Sequence, residues 1–358
     1  MKVSFWSGKR VLLTGHTGFK GSWLSLWLAK LGAQVSGCAL PPEDGRNLFE
    51  TASVEQCVDH HLCNICDAAA LRALVQAVQP EIVIHMAAQS LVRRSYTDPV
   101  ETYQTNVMGT LNLLEAIRSS GSVRSCVIVT TDKCYENREW CWPYRERDAL
   151  GGFDPYSSSK ACAEILTASY RRSFFSPDRN ATQATAIATA RAGNVIGGGD
   201  WAQDRLVPDV MSAFAAGKTV KVRNPDAVRP WQYVLEPLSG YLMLAERLFN
   251  QGQVFAEAWN FGPNDTAVCT VATLIEQLAV LWGGGARWER DGVSQPHEAT
   301  QLALDSSKAR QRLGWSPRTS MRRTLEATVE WYKACAAGQD MQRLCLDQID
   351  AFGRVRSV

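Results

Sequence analysis

A glycine-rich turn near the amino terminus limits the possible folds of this chain more than any other segment. A short apolar run at residues 9–14 leads directly into Gly15, Gly18 and Gly21, and the helical apolar face that follows ends at Gly32. Strand, glycine turn and helix in this order are typical of a dinucleotide-binding turn. The first glycine permits the tight turn, the second lets the backbone approach a pyrophosphate, and the third lets the helix pack on the strand.

The rest of the first half alternates between strands and helices. Apolar runs that indicate strands lie at residues 34–40, 81–88, 127–129 and 185–190, and helical patterns lie at 71–78 and 105–117. Such alternation predicts an α/β fold with a doubly wound parallel sheet.

A second lobe is expected because the chain has 358 residues, which exceeds one typical domain, and because its pattern becomes less regular after a run of three glycines at 197–199. We predict a dinucleotide-binding domain at residues 1–195, with a returning segment at about 230–262. A smaller, mixed substrate-binding lobe would then comprise residues 196–229 and 263–358.

Composition excludes several classes of partner. The chain is 46% hydrophobic and 21% charged with a formal net charge of +2, and its basic residues form no block, so neither nucleic acid nor a membrane surface is expected to bind. We find no secretory signal and no apolar run that could span a bilayer. Eleven cysteines without a framework indicate reduced thiols in a cytoplasmic protein, and no metal site is expected.

The candidate catalytic residues follow the central strand at 127–129. Thr131 and Asp132 come at the carboxyl end of this strand, the edge at which open α/β sheets bind ligands. Tyr156 and Lys160 are four residues apart, so on a helix they share one face. A lysine ammonium there would lower the pKa of the phenol towards neutrality and make it a base for a sugar hydroxyl.

The choice between NAD and NADP stays open from the residues alone. The second strand ends in Cys38-Ala39-Leu40, without the carboxylate that usually binds the adenosine ribose. Glu43 and Asp44 come later, in a proline-rich loop, and Arg46 is a candidate for a 2′-phosphate.

With these motifs, the chain resembles the extended short-chain dehydrogenases/reductases of the nucleotide-sugar type. The resemblance covers nearly the whole length, and its motifs appear in order at 14–21, 87–88, 106–110, 156–160, 191–195 and 260–262. It implies a Rossmann sheet, and dimerisation through a four-helix bundle formed by the helices from about Thr105 and Tyr156.

Further segments resemble the branch of 4,6-dehydratases whose substrate is CDP-glucose. They lie at residues 15–23, 131–135, 197–201, 229–231 and 296–299. These lyases use NAD and make a 4-keto-6-deoxy sugar nucleotide for deoxysugar biosynthesis, including that of lipopolysaccharide.

The resemblance also implies the residues of each site. Cofactor binding would involve Gly15, His16, Thr17, Gly18, Phe19, Lys20, Gly21, Asn64, Ile65, Ala87, Ala88 and Asn106, together with Tyr156 and Lys160. Substrate binding would involve Gln89, Ser90, Arg191, Asn194, Arg205, Arg229, Asn260 and His297. His16 would be close to the cofactor rather than catalytic.

The mechanism implied by the resemblance has one open role. Tyr156 would accept the C4 hydroxyl proton while Thr131 hydrogen-bonds that oxygen, and protonated Asp132 would donate to the departing C6 hydroxyl. Relatives usually carry a glutamate as the base at C5, whereas this chain has Lys133. Lys133 is either that base or a structural partner of Asp132.

Two departures from the wider pattern predict that NAD binds more weakly than usual. The ribose-binding carboxylate is missing, and Asn64 stands where an aspartate commonly touches adenine. A charged Lys133 near an oxidised nicotinamide would add repulsion. The alternatives are a nucleotide-sugar 4-epimerase, which would not need Asp132, and a dinucleotide-sensing regulator without turnover.

Overall fold

The structure is a computed structural model that describes residues 3–176, 185–264, 268–291 and 302–355. In chain order the strands are β1 (Arg10–Thr14), β2 (Gln34–Ala39), β3 (Asp59–Leu62), β4 (Ile82–His85), β5 (Ser125–Val129), β6 (Ala186–Arg191), β7 (Val195–Ile196), β8 (Val220–Val222), β9 (Val228–Pro230), β10 (Gln232–Tyr233), β11 (Ala258–Asn260), β12 (Val268–Thr270) and β13 (Trp288–Arg290).

The α-helices are α1 (Val3–Trp6), α2 (Phe19–Lys30), α3 (Leu48–Thr51), α4 (Ala68–Val78), α5 (Val92–Thr97), α6 (Pro99–Tyr103), α7 (Gly109–Ser120), α8 (Pro155–Ser173), α9 (Leu206–Ala215), α10 (Leu235–Gln251), α11 (Val271–Trp282), α12 (Met321–Ala336) and α13 (Met341–Arg354). Short 3₁₀ turns lie at Val54–Cys57, Asp132–Cys134 and Gly252–Phe255, and π-helical turns at Gln104–Met108 and Ala309–Leu313.

Seven parallel strands form the central sheet in the order β11-β6-β5-β4-β1-β2-β3. The chain adds strands in one direction from β1 to β3 and in the other from β4 onwards, so the order reverses between β1 and β4. Thr14 pairs with His85 across this point, which aligns the carboxyl ends of both strands. A crevice beyond such a reversal is where doubly wound sheets bind ligands. The predicted α/β fold is confirmed.

Helices cover both faces of the sheet. Leu13 belongs to the larger core, together with residues of α2, α10 and α13, whereas Leu12 belongs to a second core built with α4 and α7. Because successive strand residues point to opposite faces, both leucines are fully buried. The apolar runs that predicted the strands therefore reflect burial on two sides.

The last strand of the central sheet comes late in the chain. β11 pairs in parallel with β6, with Ala258 opposite Thr189. Two-stranded pairs outside the main sheet join β10 to β7, β12 to β9 and β13 to β8. Among the described helices, none is both long enough and apolar enough to cross a membrane.

One predicted strand is shorter than its apolar run. β4 ends at His85, and the amides of Met86 and Ala87 donate to the Thr14 hydroxyl at 3.1 Å each. The Met86 amide also donates to Thr14 O at 3.1 Å, so backbone pairing with β1 continues one residue beyond β4, after which the Thr14 hydroxyl binds the Ala87 amide.

Candidate active site

Of the three glycines in the turn, only Gly18 has free space beside its backbone. Gly15 has φ +76°, and a Cβ added to it would lie 2.6 Å from Ala87 N; one added to Gly21 would lie 2.0 Å from Gly15 O. A Cβ on Gly18 would meet only Gly15 O, at 3.5 Å. The protein's own packing requires the first and third glycines, whereas the second leaves room for a ligand. This arrangement fits a dinucleotide pyrophosphate at the start of α2.

The side chain of His16 points away from this opening. It is fully buried, its Nε2 lies 2.6 Å from His60 Nδ1, and its ring occupies the space that a Cβ on Gly37 would need. Burial and the neighbouring His60 lower the pKa of His16 to about 4. The imidazole is therefore neutral and packs between the turn and β3, so only the backbone of His16 faces the expected cofactor.

Other residues of the turn hold neighbouring segments. The Thr17 hydroxyl donates to Leu40 O at 3.1 Å, in the loop after β2. Phe19 lies beside Gly197, and Lys20 donates to the Tyr241 hydroxyl at 3.3 Å. The turn is thus linked to the loop after β2, to the glycine run after β7 and to α10.

Asn106 connects two walls of the crevice. Its amide donates to Gln89 O and to Ser159 Oγ at 2.9 Å each and accepts from Gln89 N at 2.9 Å. The residue lies in the π-helical turn before α7, a distortion that is frequent at functional sites. Asn106 therefore positions the loop after Ala88 against α8, and its amide is fully used by the protein.

The two residues at 64 and 65 differ in exposure. Asn64 is exposed and accepts from Cys66 N at 2.9 Å, whereas Ile65 is buried and occupies the space that a Cβ on Gly109 would need. Asn64 shapes the local turn, and Ile65 packs against the start of α7.

Tyr156 and Lys160 lie on one face of α8, as their spacing predicts. The helix begins at Pro155, and its N-cap Asp154 accepts from Ser157 N at 2.9 Å. Lys160 is 6% exposed and donates from Nζ to Val129 O at 3.2 Å, which holds the ammonium at the end of β5. Burial lowers the pKa of Lys160 to about 8.

The pKa of Tyr156 moves opposite to the direction expected from its lysine. Burial raises it to about 12; a hydrogen bond with Thr131 and the charge of Arg205 lower it, while the Asp132 charge raises it. The Lys160 ammonium is bound to a backbone carbonyl, and the phenol is 8% exposed. Desolvation therefore dominates here.

Thr131 and Asp132 meet the same centre. The Thr131 hydroxyl donates to Asp132 Oδ1 at 3.0 Å, and Asp132 is 1% exposed. Asp132 Oδ2 has no hydrogen-bond partner and lies against Gly193, where an added Cβ would be 1.8 Å away. A buried carboxyl with one free oxygen can form a hydrogen bond with a group that enters beside it.

Lys133 is half-buried at the edge of this centre. It belongs to the 3₁₀ turn Asp132–Cys134, and its backbone amide donates to Thr131 Oγ1 at 3.3 Å. Its ammonium forms no ion pair with Asp132, so the alternative of a structural partner gains no support.

Arg191 and Asn260, expected at the substrate, lie within a buried network. Arg191 donates to Glu164 Oε2 and to the Tyr135 hydroxyl at 2.7 Å each. Asn260 is fully buried, accepts from Tyr135 at 2.8 Å and donates to Tyr144 O at 2.9 Å. Both side chains thus hold the network together, while Arg191 Nε has no hydrogen-bond partner among the described residues, and contact of either residue with a sugar nucleotide stays a prediction.

Arg205 bridges two segments at the crevice. Its guanidinium donates to Asp200 Oδ2 at 3.0 Å and to Ser90 Oγ at 2.9 Å, and its charge acts on Tyr156. The Gln89 side chain donates to Thr102 Oγ1 at 2.8 Å and so fixes its own loop.

The remaining substrate candidates are less closely grouped. Asn194 adopts φ +43°, and its carbonyl accepts from Gln232 N. Arg229 lies half-buried on β9 and donates to Val228 O at 3.0 Å. His297 lies outside the described residues.

Sequence reasoning missed two residues that bind candidate site residues: Glu164, which binds Arg191, and Tyr241, which binds Lys20. Glu164 is four residues beyond Lys160 on the same helical face, so an acid at that buried position was a detectable signal. Tyr241 gave no signal, because it lies within the apolar face of α10. Within the described part of the chain, no three His, Cys, Asp or Glu side chains are grouped as metal ligands.

Comparisons with known proteins agree with the motifs. The model of the GDP-mannose 4,6 dehydratase family matches residues 12–328. The CDP-glucose 4,6-dehydratase of Salmonella typhimurium is 51% identical over 338 residues, 94% of each chain. The dTDP-glucose 4,6-dehydratase of Xanthomonas campestris pv. campestris is 28% identical over 339 residues, 90% of this chain and 92% of the relative.

Solved structures share the fold. The dTDP-glucose 4,6-dehydratase of Bacillus anthracis in complex with NAD has a TM-score of 0.76 and 22% identity, covering 91% of this chain and 97% of that one. The UDP-glucose 4-epimerase of Thermotoga maritima with UDP-glucose has a TM-score of 0.77 and 23% identity, covering 90% and 98%. By the family match and the 51% identity, this chain belongs to the GDP-mannose 4,6 dehydratase family, within the extended short-chain dehydrogenases/reductases.

Proposed function

We propose that this protein is an NAD-dependent hydro-lyase that converts CDP-D-glucose to CDP-4-keto-6-deoxy-D-glucose. The observation that carries the proposal is the grouping of Thr131, Asp132 and Tyr156 at one edge of the sheet. The 51% identity to a CDP-glucose 4,6-dehydratase over 94% of both chains supports the choice of substrate.

The cofactor would rest on the glycine turn and reach the catalytic centre along the carboxyl ends of β1 and β4. Gly18 leaves its backbone accessible, and Ala87 and Ala88 follow β4 with small, half-buried side chains. The dTDP-glucose 4,6-dehydratase of Bacillus anthracis, which shares this fold, was solved with NAD, and this supports NAD as the cofactor. NAD, when bound, would accept the C4 hydride and return it at C6.

Tyr156 would take the proton from the C4 hydroxyl. A pKa of about 12 disfavours this step, so the phenol depends on nearby positive charge and on its hydrogen bond with Thr131. Arg205 supplies part of that charge, and Lys160 lies one helical turn away. Thr131 would also orient the substrate oxygen.

Asp132 and Lys133 would share the loss of water. The 4-ketone makes the C5 hydrogen acidic, and Lys133 would remove it as a base and return a proton to C5 when the hydride arrives at C6. The Thr131 hydroxyl, which is hydrogen-bonded to both Tyr156 and Asp132, would pass the C4 proton on to the Asp132 carboxylate. Asp132 would then donate that proton to the C6 hydroxyl, which leaves as water. The free Asp132 Oδ2 supports this role, because no protein group competes for it.

The substrate's diphosphate requires positive charge within the crevice. Arginine suits a diphosphate because its planar fork can bind two oxygens. Arg205 and Arg229 are our candidates, and Asp200 and Ser90 would hold Arg205 ready. Asn194 is a further candidate, and the assignment of His297 to substrate binding stays a prediction from the resemblance.

The proposal is tested by incubating the protein with NAD and, in separate reactions, the CDP, dTDP, GDP and UDP derivatives of glucose. We expect the alkali-induced absorbance of a 4-keto-6-deoxy sugar with CDP-glucose, and at least tenfold less with the others. A product that keeps its 6-hydroxyl would indicate the 4-epimerase alternative. Binding of NAD and CDP-glucose without turnover would indicate a sensor.

We also propose that the enzyme is a cytoplasmic homodimer serving deoxysugar and lipopolysaccharide synthesis, with the two lobes predicted above.

The apolar surface around α6 to α8 supports the dimer. Val100, Met108 and Ile165 are 65%, 47% and 57% exposed there, and a second copy would cover them. Light scattering should find dimers of the wild type and monomers of Met108→Glu or Ile165→Glu. Val280→Glu, at an apolar residue on α11 that is 82% exposed, is the control.

A further inference from the structure

Lys20 is a charged residue inside the turn that would hold the cofactor phosphates. It is the second residue of α2 and is only half-buried, yet its ammonium is fixed. Nζ donates to the hydroxyl of Tyr241 at 3.3 Å and lies 5.3 Å from the centre of that ring. Tyr241 is fully buried on α10, so it forms a rigid support.

Lys30, a second lysine on α2, has a different environment from Lys20. Lys30, in the last turn of α2, pairs with Asp350 at 3.0 Å, and both side chains are substantially exposed. Lys30 is an ordinary surface lysine. Lys20 instead meets the buried Tyr241 hydroxyl and forms no ion pair with a described carboxylate, an arrangement that is costly for a partly buried ammonium unless the position has a use.

The charges around Lys20 belong to the catalytic centre. Asp132, from the turn after β5, attracts its ammonium, whereas Arg205 before α9 and Lys160 on α8 repel it. Burial and the charges of Tyr156 and Asp132 raise the pKa of Tyr241, so its hydroxyl also lies within the field of the catalytic centre. Burial and the two cations lower the pKa of Lys20 to about 7, so near neutrality it is partly charged.

These facts place Lys20 along the path of the cofactor. A dinucleotide whose phosphates rest at Gly18 and whose reactive ring meets Tyr156 must pass from the start of α2 to α8. Lys20 lies at the start of that path, and the charges of Lys160 and Asp132, at the end of the path, act on its ammonium. The oxidised nicotinamide ring is cationic and the reduced ring is neutral, so a nearby ammonium distinguishes the two forms.

This inference rests on the proposed NAD-dependent reaction. We propose that Lys20, supported by Tyr241, is a positioning residue that makes the cofactor site favour the reduced nicotinamide over the oxidised one. The reaction has no net redox change, so the enzyme must keep the reduced cofactor between oxidation at C4 and reduction at C6. A charge that repels only the oxidised ring serves that need.

The test compares cofactor affinities and does not need turnover. The wild-type protein and Lys20→Met are titrated with NAD and with NADH, by calorimetry for both and by fluorescence for NADH. We expect Lys20→Met to bind NAD about tenfold more tightly and NADH within threefold of the wild type. Equal changes for both forms, or no change in either, would overturn the inference.

The dependence on pH gives an independent readout. Lys20, Lys160, Arg205, Asp132, Tyr156 and Tyr241 are the titratable groups that face one another here. Between pH 6 and 8.5, the wild type should bind NAD more tightly as Lys20 loses its proton, while NADH affinity stays level. If Lys20→Met keeps the wild-type pH dependence, the effect belongs to Lys160 and the inference fails.

Matched variants exclude a general loss of structure. Lys30→Met removes a charge from the same helix and should leave both affinities unchanged. Lys20→Arg keeps the charge and should keep the wild-type ratio of affinities, and Lys20→Gln replaces Lys20→Met if that variant does not fold. If the wild type turns over CDP-glucose but Lys20→Met leaves the ratio of NAD to NADH affinity unchanged, only this inference is refuted. A wild type that binds neither form refutes the proposed function.

Discussion

Arg191 donates to Glu164 at 2.7 Å, and each of the two side chains is only 3% exposed to solvent. Thr130, the residue after β5, and Thr189 on β6 also donate to the Glu164 carboxylate. The pair lowers the pKa of Glu164 and raises that of Arg191 well above its ordinary value. It ties α8, which carries Tyr156 and Lys160, to β6 and to the end of β5.

Breaking this pair should destabilise the whole protein. In Glu164→Gln the Arg191 charge stays buried without its counter-ion, which typically costs about 3 to 5 kcal/mol of unfolding free energy. Urea unfolding measures the loss. The control is Arg322→Met, which removes an exposed pair with Glu326 and should change stability by less than about 1 kcal/mol. Equal stability of Glu164→Gln and the wild type would contradict the structural role.

Removing the Tyr156 hydroxyl should abolish most activity without unfolding the protein. A general base typically contributes about 10²- to 10⁴-fold to the rate, so we expect Tyr156→Phe to lower kcat by at least about 10²-fold. Product absorbance under alkali measures turnover, and calorimetry checks that CDP-glucose still binds. Tyr170→Phe on the same helix, where the hydroxyl donates to Glu115, is the control and should retain activity. A Tyr156→Phe enzyme with normal kcat would exclude the phenol as the base.

The role of Lys133 is decided by two substitutions. If Lys133 removes the C5 proton, Lys133→Met should lose turnover and solvent-deuterium incorporation at C5 by about 10²-fold or more. Lys133→Glu supplies another base at the same position and should recover part of both. Mass spectrometry of the product in D₂O measures the label. Retention of turnover and labelling in Lys133→Met would remove this residue from the base role.

A methyl group at Gly193 should displace the catalytic carboxyl. A Cβ there would lie 1.8 Å from Asp132 Oδ2, so Gly193→Ala must move one of the two groups. We expect at least tenfold lower kcat, measured with the same product assay. Gly353→Ala is the control, because nothing lies within 4 Å of its added Cβ and alanine favours helix α13. Normal activity of Gly193→Ala would mean that the carboxyl tolerates displacement.

Stability should fall as the pH is lowered from 6.5 towards 4. Burial lowers the pKa of His85 to about 3 and, together with His60, that of His16 to about 4, whereas both titrate near 6.5 in the unfolded chain. In this window the unfolded state binds protons that the folded state does not. Each histidine therefore removes about 1.4 kcal/mol of stability per pH unit of acidification.

Urea unfolding at pH 7, 6 and 5 measures that slope. His85 lies between Thr14 Oγ1 at 2.7 Å and Thr110 Oγ1 at 3.2 Å. In His85→Gln the slope should be smaller by the contribution of one histidine, even though the variant is less stable at every pH. An unchanged slope would show that His85 is not the group that titrates.

Local sequence patterns were sufficient for the fold and for part of the site. The glycine turn, the alternation of strands and helices, and the four-residue spacing of Tyr156 and Lys160 depend on neighbours in the chain. Backbone sterics and helical periodicity act at that range, so these predictions agree with the structure.

The sequence by itself determined which elements form, their order, and which polar residues follow the strands. Only the tertiary structure decided that Arg191 and Asn260 are joined in a buried network, that the His16 ring faces β3, and that Lys20 meets Tyr241, which is 221 positions away. It also reversed the expected direction of the Tyr156 pKa, because desolvation outweighs the neighbouring charges. Burial and pairing of charges depend on contacts between distant segments, and no local pattern encodes those contacts.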